Sequence, residues 1–466
     1  MRLPEEFKNK MIRLLGDEYA DYEASLSKPM YTCLRVNTLK ISVEEFLKIS
    51  PFELTPVPWT KNGFYYDASI YTPSKHPFYY AGLYYLQEPS ATLPAATLPI
   101  EAGDKVLDIC AAPGGKSTEI ACKLAGTGLL ISNDISASRL KALQKNMEIF
   151  GVRNSIVTCE PPERLSAIFE NYFDKIIIDA PCSGEGMFRK SSSMMTAWEQ
   201  NGNDKFIQIQ KSILTEVVKM LRPGGTILYS TCTFDPGEDE DQVMFLKSLD
   251  PSLKIMPIQA HEGFVPGNPE WSSVEDADPE LKNTFHLFPH KVKGEGHYVS
   301  LLTSDSEEEA FSSVNRYSVK KYPGNVNEID EFLSHLKTPF YADELEYRND
   351  KLYLVPKDSP AMPGMRVMRR GVYLGELKKK RFEPSQSFAM LLKSEDFDNI
   401  VDFKADSIEV SKYLKGETID LSYVEGITEP ESGWVLVTVE GYPLGFAKNT
   451  NGVLKNKYLA GWRMMS

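Results

Sequence analysis

Short apolar runs alternate with helical segments through the middle of the 466-residue chain. Helical spacing of apolar residues recurs in SRLKALQKNMEIFG (138–151), which stops at Gly151, and in FIQIQKSILTEVVKMLRPGG (206–225), which stops at Pro223-Gly224. The apolar runs have the composition of buried strands: KVLDIC (105–110), GLLISND (128–134), SIVTCE (155–160), KIIIDAP (175–181), TILYSTC (226–232) and HYVSLL (297–302). This alternation predicts a doubly wound, Rossmann-like α/β domain with a parallel sheet over about 99–303.

The chain on either side of this domain has other patterns. Residues 1–98 join an amphipathic helical start to Pro- and Tyr-rich stretches and the strand-like CLRVNTL, which predicts a small α/β N-terminal domain. An acidic run, SDSEEEAF at 304–311, opens a mixed α/β region that extends to residue 385. Three strand-like segments separated by Gly and Pro turns predict a β-rich C-terminal module over 386–466, namely SIEVSKYL (407–414), TIDLSYV (418–424) and GWVLVTVEGYPLGFAKN (433–449).

Composition narrows the class of protein. A chain of this length exceeds one hydrophobic core, and its 42% hydrophobic and 25% charged residues are ordinary for a globular protein. We expect a cytoplasmic protein with no membrane contact, because no apolar run reaches the ~20 residues of a membrane span and the N-terminus lacks a signal-peptide pattern. The six cysteines contain no CxxC pair and are expected to be reduced thiols.

Charge is unevenly distributed along the chain. The net charge of −13 excludes a protein that coats nucleic acid non-specifically, but it leaves room for a local basic groove. The acidic run DPGEDED at 235–241 fits a solvated face as readily as a functional role, and so does the basic ELKKKRF at 376–382.

A glycine-rich turn follows the first predicted strand and precedes a helix. It consists of Ala111, Ala112, Pro113, Gly114, Gly115, Lys116 and Ser117. Its glycines let backbone approach a ligand closely, and the helix N-terminus offers free N–H groups to a carboxylate. Asp134 ends the second strand, where an acid commonly binds ribose hydroxyls. The turn matches neither a P-loop nor GxGxxG, so a nicotinamide cofactor is disfavoured.

Two cysteines follow neighbouring strands. Asp179 and Cys182 come at the end of the fourth strand and Cys232 at the end of the fifth, so both thiols are expected to face the ligand crevice. A single cysteine is usually a small buried hydrophobe, and we assign Cys110 to packing. His290 and His297 lack partners at ligand spacing, so no metal site is expected.

Several motifs together resemble the RNA 5-methylcytosine methyltransferases of the Sun/Fmu type. They are LDICAAPGGKS, DAPCSGEGMFRK, STCTFDPGEDED, YYLQEPSA at 84–91 and LRVN at 34–37. GEGHY (294–298), GMRVMRR (364–370) and LGFAKNTNGVLKNKY (444–458) resemble the bacterial ribosomal RNA branch, RsmF. The resemblance covers nearly the whole chain and implies an S-adenosylmethionine-dependent enzyme with a PUA-like, RNA-binding C-terminal module.

The resemblance also implies roles for individual residues. Residues 111–117 would hold the methionine part of S-adenosylmethionine, and Asp134 its ribose. Glu160 is our choice for the adenine contact, with Glu163 as the alternative, because the usual Asp or Asn is absent there. Asp179 would lie between cofactor and base.

The implied chemistry is covalent. Cys232 would attack carbon 6 of cytosine, and Asp179, protonated or hydrogen-bonded to the base, would stabilise charge on ring nitrogen 3. Cys182 would assist release, whereas a DNA enzyme would use it as nucleophile. Lys116 could position the base or favour a thiolate.

We expect the partner to be RNA, namely 16S ribosomal RNA near the decoding region or the small ribosomal subunit. Arg35 and Asn37, with the basic residues Lys378, Lys379, Lys380 and Arg381, could grip it. Transfer RNA as substrate, a non-catalytic RNA-binding assembly factor and a small-molecule methyltransferase stay open as alternatives.

Overall fold

The computed structural model describes residues 3–190, 192–306 and 312–464, so most of the acidic run at 304–311 lies outside the described residues. Four β-sheets follow one another along the chain, with four, ten, four and five strands among these residues. No helix in the described part of the chain has the length and apolarity needed to cross a membrane.

The N-terminal residues form a small sheet with helices packed beside it. The elements are α1 (Glu5–Leu15), α2 (Tyr19–Ser25), β1 (Thr32–Val36), α3 (Val43–Ile49), β2 (Thr55–Pro56), β3 (Gly63–Tyr66), α4 (Pro77–Tyr80), β4 (Tyr84–Gln87) and α5 (Leu93–Thr97). The strand order is β2-β3-β1-β4, and every pairing is antiparallel. The strand-like CLRVNTL therefore supplies a central strand of this sheet.

The largest sheet runs through the middle of the chain. Its strands and flanking helices are β5 (Lys105–Asp108), α6 (Gly115–Leu124), β6 (Leu129–Asn133), α7 (Ala137–Phe150), β7 (Ser155–Thr158), α8 (Pro162–Ser166), β8 (Phe173–Asp179), α9 (Ser192–Asn201), α10 (Asp204–Met220), β9 (Leu221–Thr231), α11 (Glu240–Leu249), β10 (Leu253–Ile255), β11 (Phe264–Pro266), β12 (Phe285–Leu287) and β13 (His297–Ser304). Five of these strands are parallel in the order β9-β8-β5-β6-β7, which confirms the doubly wound, Rossmann-like fold.

Two details of the central sheet differ from expectation. HYVSLL belongs to β13, which pairs with β9 in antiparallel orientation rather than extending the parallel set. Helix α10 ends at Met220, before the Pro223-Gly224 pair that was expected to stop it, and Leu221 is already extended. The residue before a proline avoids helical conformation, so the end moves ahead of Pro223 itself.

The third region forms a smaller sheet and also reaches back to the central one. It contains α12 (Asn327–Leu333), β14 (Leu345–Arg348), β15 (Lys351–Leu354), β16 (Val367–Arg370), β17 (Val372–Lys378) and β18 (Arg381–Pro384). β16 pairs with β7 at the edge of the central sheet, whereas the other four strands form their own sheet. Gly371 connects the two sheets at φ +61, and a Cβ there would lie 2.0 Å from the Leu354 carbonyl oxygen, so only glycine fits.

The C-terminal module is a five-stranded sheet with two helices. Its elements are α13 (Gln386–Leu391), β19 (Ile400–Phe403), α14 (Ile408–Lys415), β20 (Ile419–Asp420), β21 (Gly433–Val439), β22 (Tyr442–Thr450) and β23 (Val453–Asn456). The expectation of a strand at SIEVSKYL was wrong, because this segment is α14. The Ser407 side chain caps its first turn, and its buried residues, Val410, Tyr413 and Leu414, follow helical spacing.

Candidate active site

The carboxyl ends of the five parallel strands meet at one edge of the sheet. β5, β6, β7, β8 and β9 end at Asp108, Asn133, Thr158, Asp179 and Thr231, and each predicted site residue lies at or just beyond one of these ends. Ligands of doubly wound sheets bind in the crevice outside this edge.

The glycine-rich turn lies between β5 and α6 with its backbone packed closely. Gly114 has φ +111, which favours glycine, and a Cβ there would lie 3.0 Å from Leu143 Cδ1. A Cβ on Gly115 would lie 2.9 Å from Gln87 Nε2. α6 begins at Gly115, so the first N–H groups of this ten-residue helix point to the crevice as a site for a carboxylate.

Arg35 fixes this turn from the N-terminal domain. Its guanidinium is fully buried, donates 2.7 Å to the Gly115 carbonyl and 2.6 Å to Thr118 Oγ1, and lies 2.9 Å from the Glu119 carboxylate. Asn37 is equally buried and donates to backbone carbonyls. Neither side chain can reach RNA, so their expected role as an RNA grip is wrong; they join the two domains.

Ser117 has a structural side chain rather than a ligand-facing one. Its hydroxyl donates 2.6 Å to Asp108 Oδ2 and lies 2.8 Å from Ser132 Oγ. Burial raises the pKa of Asp108 to about 7. Within the turn, Ser117 can therefore serve a ligand through its backbone N–H only.

A cavity of about 370 Å³ opens beyond β5, β6 and β7. Asp134, Glu160 and Glu163 line it together, with apolar walls that include Ile135 and Ile209. Asp134 accepts 2.8 Å from the Ser136 N–H and lies 3.5 Å from Arg139. Acids in an apolar cleft of this size fit a nucleoside, whose ribose and amino groups need acceptors and whose base needs apolar contact.

The two candidate adenine contacts differ in their partners. Glu160 is buried and already bonded, because one oxygen accepts from the Arg366 N–H and the other lies 3.2 Å from Arg164 Nε. Glu163 is exposed at the start of α8. The segment leading into β16 thus contacts one of the acids that line the cavity.

Lys116 and Asp179 form an ion pair beside the crevice. The distance from Lys116 Nζ to Asp179 Oδ2 is 2.6 Å, and His297 Nε2 lies 3.6 Å from Asp179 Oδ1. Burial alone would raise the pKa of Asp179, but Lys116 and His297 outweigh it and hold the pKa below its usual range. The carboxyl group of Asp179 is therefore ionised at neutral pH. Of the two states that the sequence left open, this favours a carboxylate that is hydrogen-bonded to the base over a protonated acid.

Cys182 and Cys232 are in direct contact. Their sulfur atoms lie 3.2 Å apart, and the Cys232 N–H donates 3.4 Å to Cys182 Sγ. Both are half-buried free thiols. The hydrogen bond to Cys232, reinforced by burial, raises the pKa of Cys182, and either sulfur of the pair can be the donor.

A buried acid holds the two cysteine loops together. Glu238 accepts 3.0 Å from the Ser183 N–H, 2.7 Å from Asn203 and 2.9 Å from Gln210. Burial raises the pKa of Glu238 to about 7. Glu238 and its neighbours Asp239 and Glu240 are fully buried, so the solvated-face interpretation of this acidic run was wrong.

The first helix completes this support. Lys10 of α1 pairs with Glu185 of the first cysteine loop and lies 2.7 Å from Asp235 of the second. Trp198 donates 2.9 Å to the same Glu185. In the described part of the chain, one trio of potential metal ligands occurs, Asp239, Glu240 and His286, in which His286 Nε2 is hydrogen-bonded to Glu240 at 2.8 Å.

Comparison with known proteins identifies the family. The model for "16S rRNA methyltransferase RsmB/F" matches residues 95–303, and that for the N-terminal domain of 16S rRNA methyltransferase RsmF matches 3–89. Models for the RsmF first C-terminal domain and PUA domain match 331–392 and 401–464. "Ribosomal RNA small subunit methyltransferase F" of Enterobacter sp. (strain 638) is 31% identical over 98% of this chain and 95% of its own.

The chain belongs to the RsmF family. The protein of the same name from Escherichia fergusonii is 30% identical over the same shares. A methyltransferase homologue from Pyrococcus horikoshii is 28% identical, with TM-score 0.56 over 65% of this chain and 95% of its own. NSun6 from the same organism, solved with SFG, is 21% identical with TM-score 0.54 over 65% and 99%, and shares the fold.

RsmF membership makes the chain an S-adenosylmethionine-dependent RNA methyltransferase with a C-terminal PUA domain. The crevice suits this cofactor, because the α6 N-terminus can take its carboxylate and the cavity at Asp134 its nucleoside. Of the residues chosen from sequence, Asp134, Glu160 and Glu163 share the cavity, Lys116 joins Asp179, and the two cysteines meet. Sequence reasoning missed the supporting roles of Arg35, Glu238 and Lys10. LRVN and GEDED place the first two in motifs, but they do not reveal the partners that these residues bind.

Proposed function

We propose that this protein methylates carbon 5 of a cytosine in 16S ribosomal RNA, with Cys232 as the covalent nucleophile. The observation that carries the proposal is the 3.2 Å contact between two free thiols, Cys182 and Cys232, at the ends of adjacent strands. Methylation at a ring nitrogen or a ribose oxygen needs no thiol, whereas carbon 5 of cytosine must be activated by addition at carbon 6.

The two thiols have different roles. Because the hydrogen bond to Cys232 and burial raise the pKa of Cys182, Cys182 keeps its proton, and we assign the attack on the base to Cys232. The Cys232 thiolate then attacks carbon 6, forms an S–C bond and moves electron density onto carbon 5 and ring nitrogen 3.

Asp179 and Lys116 act on the opposite edge of the base. As a carboxylate, Asp179 accepts a hydrogen bond from the exocyclic amino group of cytosine and so selects this base. The Lys116 ammonium, 2.6 Å from Asp179, stabilises negative charge that develops on the ring during addition. Both groups are held by the sheet edge, so they need no reorganisation as charge develops.

Release depends on Cys182. S-adenosylmethionine, when bound, supplies an electrophilic methyl group to carbon 5. Once the Cys232 sulfur is bonded to carbon 6, it no longer accepts the hydrogen bond that raised the pKa of Cys182. Cys182 then gives its proton to solvent, and its thiolate removes the proton on carbon 5. The electrons of that C–H bond form the double bond between carbons 5 and 6 as the S–C bond breaks and Cys232 leaves as a thiolate.

The cofactor contacts follow from the crevice. The N–H groups at the start of α6 take the methionine carboxylate, Asp134 binds the ribose hydroxyls, and Glu160 or Glu163 accepts from the adenine amino group.

The target is inferred from the relatives. Their names specify ribosomal RNA of the small subunit, and the three RsmF-specific domain matches favour this target over transfer RNA. The cytosine must leave its stack to reach Cys232, which is easiest in a loop or junction near the decoding region. Because ribosomal RNA is modified during ribosome assembly in the cytoplasm, the proposed target implies a cytoplasmic location.

The experiment that tests this function maps the methylated atom. Unmodified 16S rRNA, small subunits and transfer RNA are each incubated with the protein and S-adenosylmethionine, then digested to nucleosides for mass spectrometry. We expect 5-methylcytidine from 16S rRNA or its subunit and none from the Cys232→Ala variant. Methylation at another atom, or of transfer RNA alone, would refute the proposal.

A further inference from the structure

A cavity of about 490 Å³ separates β16, at the edge of the central sheet, from β15 and β17 of the third sheet. It is distinct from the cavity at Asp134, with which it shares no lining residue. We refer to it as the Arg/Tyr cavity, after the residues that line it: Arg348, Lys351, Arg369 and Arg370, with Tyr317, Tyr353 and Tyr373.

The charge of this cavity is the reverse of that of the protein. Four of its lining side chains are cationic, and no carboxylate is among the described residues that line it, although the net charge of the chain is −13. Two of the cations pair with carboxylates that do not line the cavity: Arg369 lies 2.6 Å from Glu148, and Arg348 lies 3.5 Å from Glu346.

The other two cations, Lys351 and Arg370, form no ion pair with the residues that the structure describes. Among residues 3–190, 192–306 and 312–464, no carboxylate lies within 4.0 Å of the Lys351 ammonium or the Arg370 guanidinium. Arg370 instead donates 2.8 Å to the Pro360 carbonyl and stacks on Tyr317, with its Cζ 4.0 Å from the ring centroid. Burial lowers the pKa of Arg370, so an anion in the cavity would relieve the cost of burying that charge.

Aromatic rings are interleaved with these charges. Tyr353 and Tyr373 lie side by side across β15 and β17, with ring centroids 5.3 Å apart and planes inclined at 45°. Arg348 and Arg369 lie 5.1 Å and 5.8 Å from these two rings. Partly exposed rings among cationic side chains are the features with which proteins hold unstacked bases and their phosphates.

We propose that the Arg/Tyr cavity binds a single-stranded segment of the RNA substrate outside the active site, with phosphates on Lys351 and Arg370 and a base against Tyr353 and Tyr373. A volume of about 490 Å³ accommodates one nucleotide. The inference rests on RNA as the substrate but not on the atom that is methylated.

The position of the cavity gives this contact a use. β16 forms one wall, and the residues just before it reach the cofactor cavity, where the Arg366 N–H donates to Glu160. Because β16 pairs with β7, the proposed RNA contact lies one strand beyond the cofactor cavity. At this position the Arg/Tyr cavity can orient the RNA segment next to the flipped cytosine without contacting the reacting atoms.

The charge contribution is tested with Arg348→Ala/Lys351→Ala, two exposed positions, and thermal melting checks that the variant is folded. We expect the KM for 16S rRNA to rise roughly tenfold with kcat and the S-adenosylmethionine affinity unchanged. The salt slope of binding to a short fluorescein-labelled single-stranded RNA should fall by about 0.7, since Lys351 is the one residue of the pair that is assigned a phosphate and each phosphate contributes about 0.7. The control, Lys219→Ala/Lys254→Ala, removes two other half-exposed, ion-paired charges and should change neither value.

The stacking contribution is tested with Tyr353→Leu, for which we expect weaker binding of the same short RNA by about fivefold or more. KM values equal to the control would overturn the proposal. So would a loss confined to assembled subunits with naked rRNA unaffected, because the cavity would then take a ribosomal protein. If the variants lose RNA binding as expected but the enzyme methylates an atom other than carbon 5 of cytosine, the proposed function is refuted and this inference is supported.

Discussion

Cys182 and Cys232 are 50 residues apart in sequence, yet their sulfur atoms lie 3.2 Å from each other at the ends of two adjacent parallel strands. Glu238 holds both loops, because it bonds to Ser183 next to one thiol and belongs to the segment that follows the other. The geometry of the pair is thus a property of the sheet and its buried supports.

Replacing Lys116 should shift the pH dependence of the reaction. In Lys116→Met the cation that lowers the pKa of Asp179 is lost, so burial raises that pKa relative to the wild type. Because the carboxylate is the active form, the acidic limb of the kcat/KM profile should move to higher pH. The control is Lys141→Met, at an exposed position of α7, and an unmoved limb in Lys116→Met would contradict the role given to this ion pair.

Removing Arg35 should destabilise the protein without a specific loss of RNA affinity. Arg35→Met leaves the Glu119 carboxylate buried without its partner, which costs about 3 kcal/mol of unfolding free energy. S-adenosylmethionine binding should weaken as well, because Arg35 holds the Gly115 carbonyl at the start of α6. Urea unfolding and calorimetry measure both effects, with exposed Arg13→Met as control. An RNA affinity that falls while stability is unchanged would restore the original expectation for Arg35.

Asp108 should make stability depend on pH. Its pKa is about 7 in the folded protein, above the value near 3.9 of an unfolded chain, so the folded state retains the proton longer. The free energy of unfolding should therefore decrease as pH rises from about 4 to about 7 and change little above that. Asp108→Asn mimics the protonated form and should flatten the curve; an equal slope in wild type and variant would contradict the assignment.

The adenine contact can be assigned by two matched variants. Glu163→Gln should weaken S-adenosylmethionine binding by roughly fivefold if the exposed carboxylate accepts from the adenine amino group. Glu160→Gln should weaken binding and also lower stability, since its carboxylate bonds to Arg366 and Arg164. Isothermal titration distinguishes the two, and unchanged affinity in both would remove these acids from the cofactor site.

Sequence patterns predicted the strands and helices whose buried residues follow a regular spacing within one short segment. Apolar strands ending in Asp179 and Thr231 identify the crevice edge, because parallel strands share one carboxyl edge. Contacts between distant segments were not predictable, since nothing near Arg35 or Glu238 in sequence reveals the donors and acceptors that bury them. SIEVSKYL was misassigned because Ile408 and Val410 resemble a strand, whereas the Ser407 cap and the packed face decide for a helix.

The partner of β7 was equally hidden. β16 is separated from β7 by more than 200 residues, and GMRVMRR has no alternating pattern that specifies an edge strand. GMRVMRR was therefore assigned only to the third region, because its neighbours in sequence belong to that region.

The most direct test of the central claim is covalent trapping of the RNA. Cys182→Ala is incubated with S-adenosylmethionine and 16S rRNA, and a denaturation-resistant protein–RNA adduct is sought, with Cys182→Ala/Cys232→Ala as the control. The account predicts an adduct in the single variant, carried by Cys232, and none in the double variant. Normal turnover by Cys182→Ala without an adduct, or an adduct that persists without Cys232, would contradict it.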